Sequence, residues 1–97
     1  MGAIALSFSG PNNFPSAGFV LFDNANVGGA IHVAGAGVAP EDGFTGYPPF
    51  GDGVARWGDY SSAVVSPGGR IWSAAEYIPD RTRLKFANWG SRIYRPR

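Results

Sequence analysis

The chain has 97 residues, no cysteine, 15 glycines, 8 prolines and a formal charge of +1, which excludes a disulfide-stapled miniprotein and leaves room for one small domain at most. Apolar residues make up 44%, aromatics 14% and charged residues 15%, a balance too sticky for a disordered tail. A nearly neutral chain with a single lysine offers little to a phosphate backbone, so nucleic acid is not an expected partner.

Windows of helical length contain Gly or Pro or alternate at period two, and the chain reads as all-β. Ile4, Leu6 and Phe8 alternate with Ala5, Ser7 and Ser9 in a first strand that stops at Gly10-Pro11-Asn12-Asn13. Ala17 to Phe22 is a second strand, apolar on both sides and so expected to be buried on both faces. Turn residues follow at Asp23-Asn24-Ala25-Asn26 and Gly28-Gly29, and Ala30 to Ala36 is a third strand with small residues where sheets approach closely. Residues 37 to 58, with five glycines after Gly37, three prolines and four aromatics, form a long packed or functional excursion. Tyr60 to Ser66 is a strand, Pro67-Gly68-Gly69 a tight turn, and Arg70 to Ile78 its hairpin partner. That partner places Ile71, Ser73, Ala75 and Tyr77 on one face and Trp72, Ala74, Glu76 and Ile78 on the other. Leu84 to Trp89 and Ser91 to Tyr94 complete the set, as one bulged strand or two short ones parted at Gly90.

An internal repeat sets the expected architecture. Phe14-Pro15-Ser16-Ala17-Gly18-Phe19-Val20 aligns with Tyr60-Ser61-Ser62-Ala63-Val64-Val65-Ser66, and each is followed across a Gly-Gly turn by a strand opening Ile31-His32 or Ile71-Trp72. Ser16 and Ser62 lie 46 positions apart, and a period of about 40 to 50 residues with about four short strands per unit is a sign of β-propeller blades. The chain is therefore read as a single propeller fragment of about two blades, residues 1–58 with an outer strand and the long loop, and residues 59–97. Two blades leave apolar faces and strand edges uncovered. Either the chain is a piece of a longer parent or copies close a ring, with a homotrimer of six blades preferred.

Charge placement fits head-to-tail contacts. Residues 1 to 55 hold four acids (Asp23, Glu41, Asp42, Asp52) and no Lys or Arg, while all eight basic residues lie from Arg56 onward. Opposite charge on the two halves suits heterologous contacts, which generate rings; the alternative is that these charges are merely solvated. The first ten residues lack a basic n-region, and no stretch approaches the roughly 18 apolar residues of a spanning helix, so the chain is expected to be soluble with no membrane partner.

Arg56-Trp57-Gly58-Asp59-Tyr60-Ser61-Ser62-Ala63, the hairpin Ser66-Pro67-Gly68-Gly69-Arg70-Ile71-Trp72, Glu76-Tyr77-Ile78 and Asn88-Trp89-Gly90-Ser91-Arg92-Ile93 resemble closing blades of large bacterial propeller proteins of the sialidase-like, BNR-repeat type. Phe14-Pro15-Ser16-Ala17 and Gly43-Phe44-Thr45-Gly46-Tyr47-Pro48 resemble the preceding blade. The resemblance implies a propeller and an exported parent, periplasmic or extracellular, while localisation stays open. It carries no sialidase chemistry: the Asp-box hairpin has an aspartate before its glycine, Pro67-Gly68-Gly69 lacks it, and no set of three arginines is recognisable as a carboxylate clamp.

Candidate chemistry centres on three residues. Asp59 is expected to enter the innermost strand of its blade, so that three copies converge near the ring axis as a site for calcium, magnesium or manganese; its alternative role is to order the loop from Arg56 to Tyr60. Glu76, on the face of Trp72, either pairs with Arg56 or Arg70 or sits in a pocket as a general acid or base. His32, the one histidine, serves as a ligand or base only if symmetry multiplies it, and otherwise as a structural group. Arg56, Tyr47 and Trp57 are candidate ligand contacts, the aromatics as sugar-stacking surfaces or as wedges between blades. The expected function is a self-assembling propeller module that binds a small ligand or cation at its axis. The alternatives are a metal-assisted hydrolase of phosphate or carboxyl esters using Asp59, Glu76 and His32 from several chains, and a lectin-like sugar binder.

Overall fold

The computed structural model describes residues 2–25, 28–41, 43, 57–80 and 88–96. Among them the chain is all-β, with two three-stranded antiparallel sheets and no helix. In sheet A, β1 (Gly2–Gly10), β2 (Asn13–Phe22) and β3 (His32–Gly35) are neighbours in chain order; in sheet B, β4 (Ser62–Val65), β5 (Ile71–Tyr77) and β6 (Gly90–Tyr94) are. Each sheet is a meander in which a strand pairs with the one that follows it.

Turn chemistry fixes both hairpins. Pro11-Asn12 closes the first, with Gly10 opposite Asn13 and the ladder irregular between Phe8 and Gly10. In the second, the Ser66 amide donates to the Arg70 carbonyl at 2.8 Å and the Gly69 amide to the Ser66 carbonyl at 2.9 Å. Gly69 sits at φ +79°, where a side chain would be strained.

Strands β3 and β4 are shorter than the sequence suggests, and β5, at 71–77, lacks one residue at each end of the expected 70–78. β3 occupies 32–35 of the expected 30–36, and the expected turn glycines before it adopt φ of +108° and +111°. β4 occupies 62–65 of the expected 60–66, its ladder on β5 ending at Ser62 opposite Ala74. Beyond that pair Ser7 from sheet A takes over: its hydroxyl donates to the Glu76 carbonyl at 2.8 Å and accepts the Glu76 amide at 3.1 Å. β6 includes Gly90, whereas Asn88 and Trp89 are outside any strand. Most of the excursion (44–56) and most of the expected strand from Leu84 lie outside the described residues.

The two sheets pack face to face, β1 and β2 over β5. Alternation in β5 follows the sequence pattern: Ile71, Ser73 and Ala75 are buried toward sheet A, while Trp72 is exposed. From sheet A the inward residues are Ser7, its partner Ala17, and Phe19 beside Tyr94. Close approach needs small side chains here: a Cβ on Gly35 would lie 3.1 Å from the Tyr77 ring. The expected burial of β2 on both faces holds for Ser16, Ala17 and Gly18 only, since Phe14 is exposed and Phe19 to Phe22 are half-buried. Sheet B covers one face of β2, and residues just after β3 cover its start.

A strap of backbone hydrogen bonds joins the layers at one end. The Ile78 amide donates to the Pro15 carbonyl at 3.0 Å, and the Ile78 carbonyl accepts the Val38 amide at 2.9 Å. Ile78 and Asn88 are the largest fully buried side chains. The Asn88 amide group donates to the Pro40 and Asp80 carbonyls at 2.9 and 3.2 Å.

The interior is thin. Among the described residues the buried apolar side chains are Ala17, Ala39, Ile71, Ala75 and Ile78.

The sequence repeat maps onto unequal positions. Its first copy falls in β2, the central strand of sheet A, and its second around β4, an edge strand of sheet B among the described residues. Each sheet shows three strands there, where the blade reading expects about four.

Candidate functional site

The end of β5 carries the one sequence-flagged acid that the fold places in a cavity. Glu76 follows Trp72 and Ala74 along the outward face of sheet B, opposite Ser91 of β6. Its carboxylate Oε2 accepts the Gly58 amide, so the half-buried Trp57-Gly58 segment is pinned where β4 begins. The φ of +70° at Gly58 suits a residue without Cβ. Asp59 itself is exposed and precedes β4, outside the strand expected to hold it.

Around Glu76 lies an open cavity of about 230 Å³ lined by Tyr60, Ser61, Ser62, Ala74, Ala75, Glu76 and Ser91. The Ser61 hydroxyl is engaged, donating to the Ala5 carbonyl at 2.9 Å. Tyr60 projects into solvent, 82% exposed. Glu76 was a candidate from the sequence; that the β5–β6 register sets Ser91 opposite it was not legible there, because register depends on a long connection and not on a two-residue turn.

The other candidates lie elsewhere. His32 is exposed on β3 with its ring stacked 5.0 Å from Phe19, which leans on Tyr94 at 5.9 Å. That is the structural role weighed for it. Among the described residues no group of three or more His, Asp or Glu side chains gathers to hold a metal ion within one chain, so His32, Asp59 and Glu76 do not converge there. Arg56 and Tyr47 lie outside the described residues, and so does the Arg56 pairing weighed for Glu76. Trp72 is exposed with the Arg95 guanidinium 6.0 Å above its ring, a cation–π pair on the outward face. The Tyr94 hydroxyl, which donates to the Gly18 carbonyl, is pushed above its usual pKa by burial, against an opposing pull from the Leu6 backbone.

Sheet A turns an apolar face outward, and sheet B a mixed one on which Glu76 and Arg95 accompany the apolar residues. On sheet A the register aligns Ile4 with Val20, Gly2 with Phe22 and Gly18 with Val33, and with Leu6 and Phe8 these make a face without a charged side chain. On sheet B, Val64 pairs with Trp72 and Ala74 with Ile93; Val64 is 59% and Ile93 71% exposed. Comparison with family models, with curated proteins and with solved structures finds no match to this chain.

Proposed function

We propose that the chain is a self-assembling β-module whose copies stack head to tail, the outward face of sheet A on the outward face of sheet B. The supporting observation is the uncharged face of Ile4, Leu6, Phe8, Val20, Phe22 and Val33 on a molecule whose buried apolar side chains, among the described residues, are mostly alanine. Exposed contiguous apolar surface of this kind marks an interaction site. Charge supports the same polarity. The half bearing sheet A has four acids and no Lys or Arg, whereas the half from Arg56 onward has eight basic residues and three acids.

A face-to-back contact between unlike surfaces is heterologous and either closes or runs on. Closure at three copies would give six stacked sheets, a propeller-type ring. Light scattering on purified protein should give about three times the 10.2 kDa chain mass, and Ile4→Glu should return it to one chain while the β signature in circular dichroism persists. A monodisperse single chain at high concentration would sink the reading.

A further inference from the structure

We infer that the cavity at the end of β5 is a binding site for an organic cation, an alkylammonium or guanidinium group on an apolar stem. It is carried by a single chain and does not depend on assembly. Among the described lining residues the only charge is the Glu76 carboxylate, and Ala74, on the same face of β5, supplies an apolar wall. One carboxylate oxygen is already anchored by the Gly58 amide, which fixes the group's orientation without neutralising it. A preset, partly shielded carboxylate makes charge-assisted hydrogen bonds, the strong kind. The hydroxyls of Ser62 and Ser91 flank it as further acceptors, matching a head with three donors. The exposed Tyr60 ring adds a π face of the sort that attracts cations.

Size and charge narrow the occupant. At about 230 Å³ the cavity is smaller than the roughly 300–1,000 Å³ of drug-sized pockets, so it suits one cationic head and a short stem. In the proposed stack the half that meets this face, residues 1–55, contains no Lys or Arg. The occupant is therefore a free amine or another protein's basic side chain, and not the next copy's.

Heteronuclear NMR titration with butylammonium, with butylguanidinium and with a capped lysine peptide tests the site. Saturable shifts are expected at the amides of Ser62, Ala74, Glu76 and Ser91. Glu76→Gln, which keeps an acceptor for Gly58, should weaken binding about tenfold or more, and Tyr60→Ala should weaken it less. Binding of the amine without the peptide assigns the pocket to a free cation, whereas binding of both admits a protein side chain. The same titration on Ile4→Glu separates the site from assembly: binding there alone means that stacking covers an intact pocket. No saturable shift in either protein, or equal affinity in Glu76→Gln, overturns the inference.

Discussion

Two buried serines show how similar residues at similar burial have opposite energetic signs. Ser16 and Ser73 are each 2% exposed. Ser16 donates to the Phe14 carbonyl at 2.6 Å and accepts the Gly37 amide at 2.9 Å, so Ser16→Ala strands an amide and should cost about 1–3 kcal/mol. Among the described residues the buried Ser73 hydroxyl has no hydrogen-bond partner, so Ser73→Ala should be neutral or stabilising by up to about 1 kcal/mol. Urea denaturation of both variants checks the pair; equal losses would contradict the hydrogen-bond assignment. Tyr94 adds a pH-dependent term. Its folded pKa lies above the ordinary 10.0 because burial disfavours the phenolate. The stability it contributes is therefore complete below about pH 10 and is lost as pH rises through the higher folded value. Denaturation midpoints between pH 8 and 11 should fall in the wild type and fall less in Tyr94→Phe, whose deficit at neutral pH reflects the lost bond to Gly18.

For single elements, close backbone approach is the controlling fact, and Gly37 is its sharpest instance. A methyl there would lie 2.1 Å from the Pro15 carbonyl oxygen and 2.8 Å from its carbon, both backbone atoms that cannot swing away. Gly37→Ala should shift the segment off β2, disturb the neighbouring Val38–Ile78–Pro15 strap and cost about 1–3 kcal/mol. Gly68→Ala in the hairpin turn meets nothing within 4 Å and should stay within about 1 kcal/mol of wild type. Thermal melts of the two variants decide it.

The existence of the strands, the turn at Pro67-Gly68-Gly69 and the inward face of β5 were legible in the sequence because period two and Pro/Gly punctuation are local signals. Which strands share a sheet was not, nor was the start of β4, before which a serine hydroxyl from the other sheet takes over the pairing with β5. At the site, Glu76 was legible as an acid in an apolar strand. Its anchor on the Gly58 amide was not, because that contact spans 18 residues and depends on how the sheets meet.

Across the whole molecule, neighbours in sequence build each sheet and distant residues join the two. The Ser7 hydroxyl meets Glu76 across 69 residues and the Tyr94 hydroxyl meets Gly18 across 76, nearly the span of the chain. Hairpins close in about 1–10 μs, whereas contacts of such separation carry the loop-closure entropy that slows folding. Pairing within each sheet is therefore expected to precede the docking of the two sheets. A chain that folds in this order would bare the inner faces of both sheets and the outward face of sheet A at once. At that stage an encounter with a second chain competes directly with the chain's own second half.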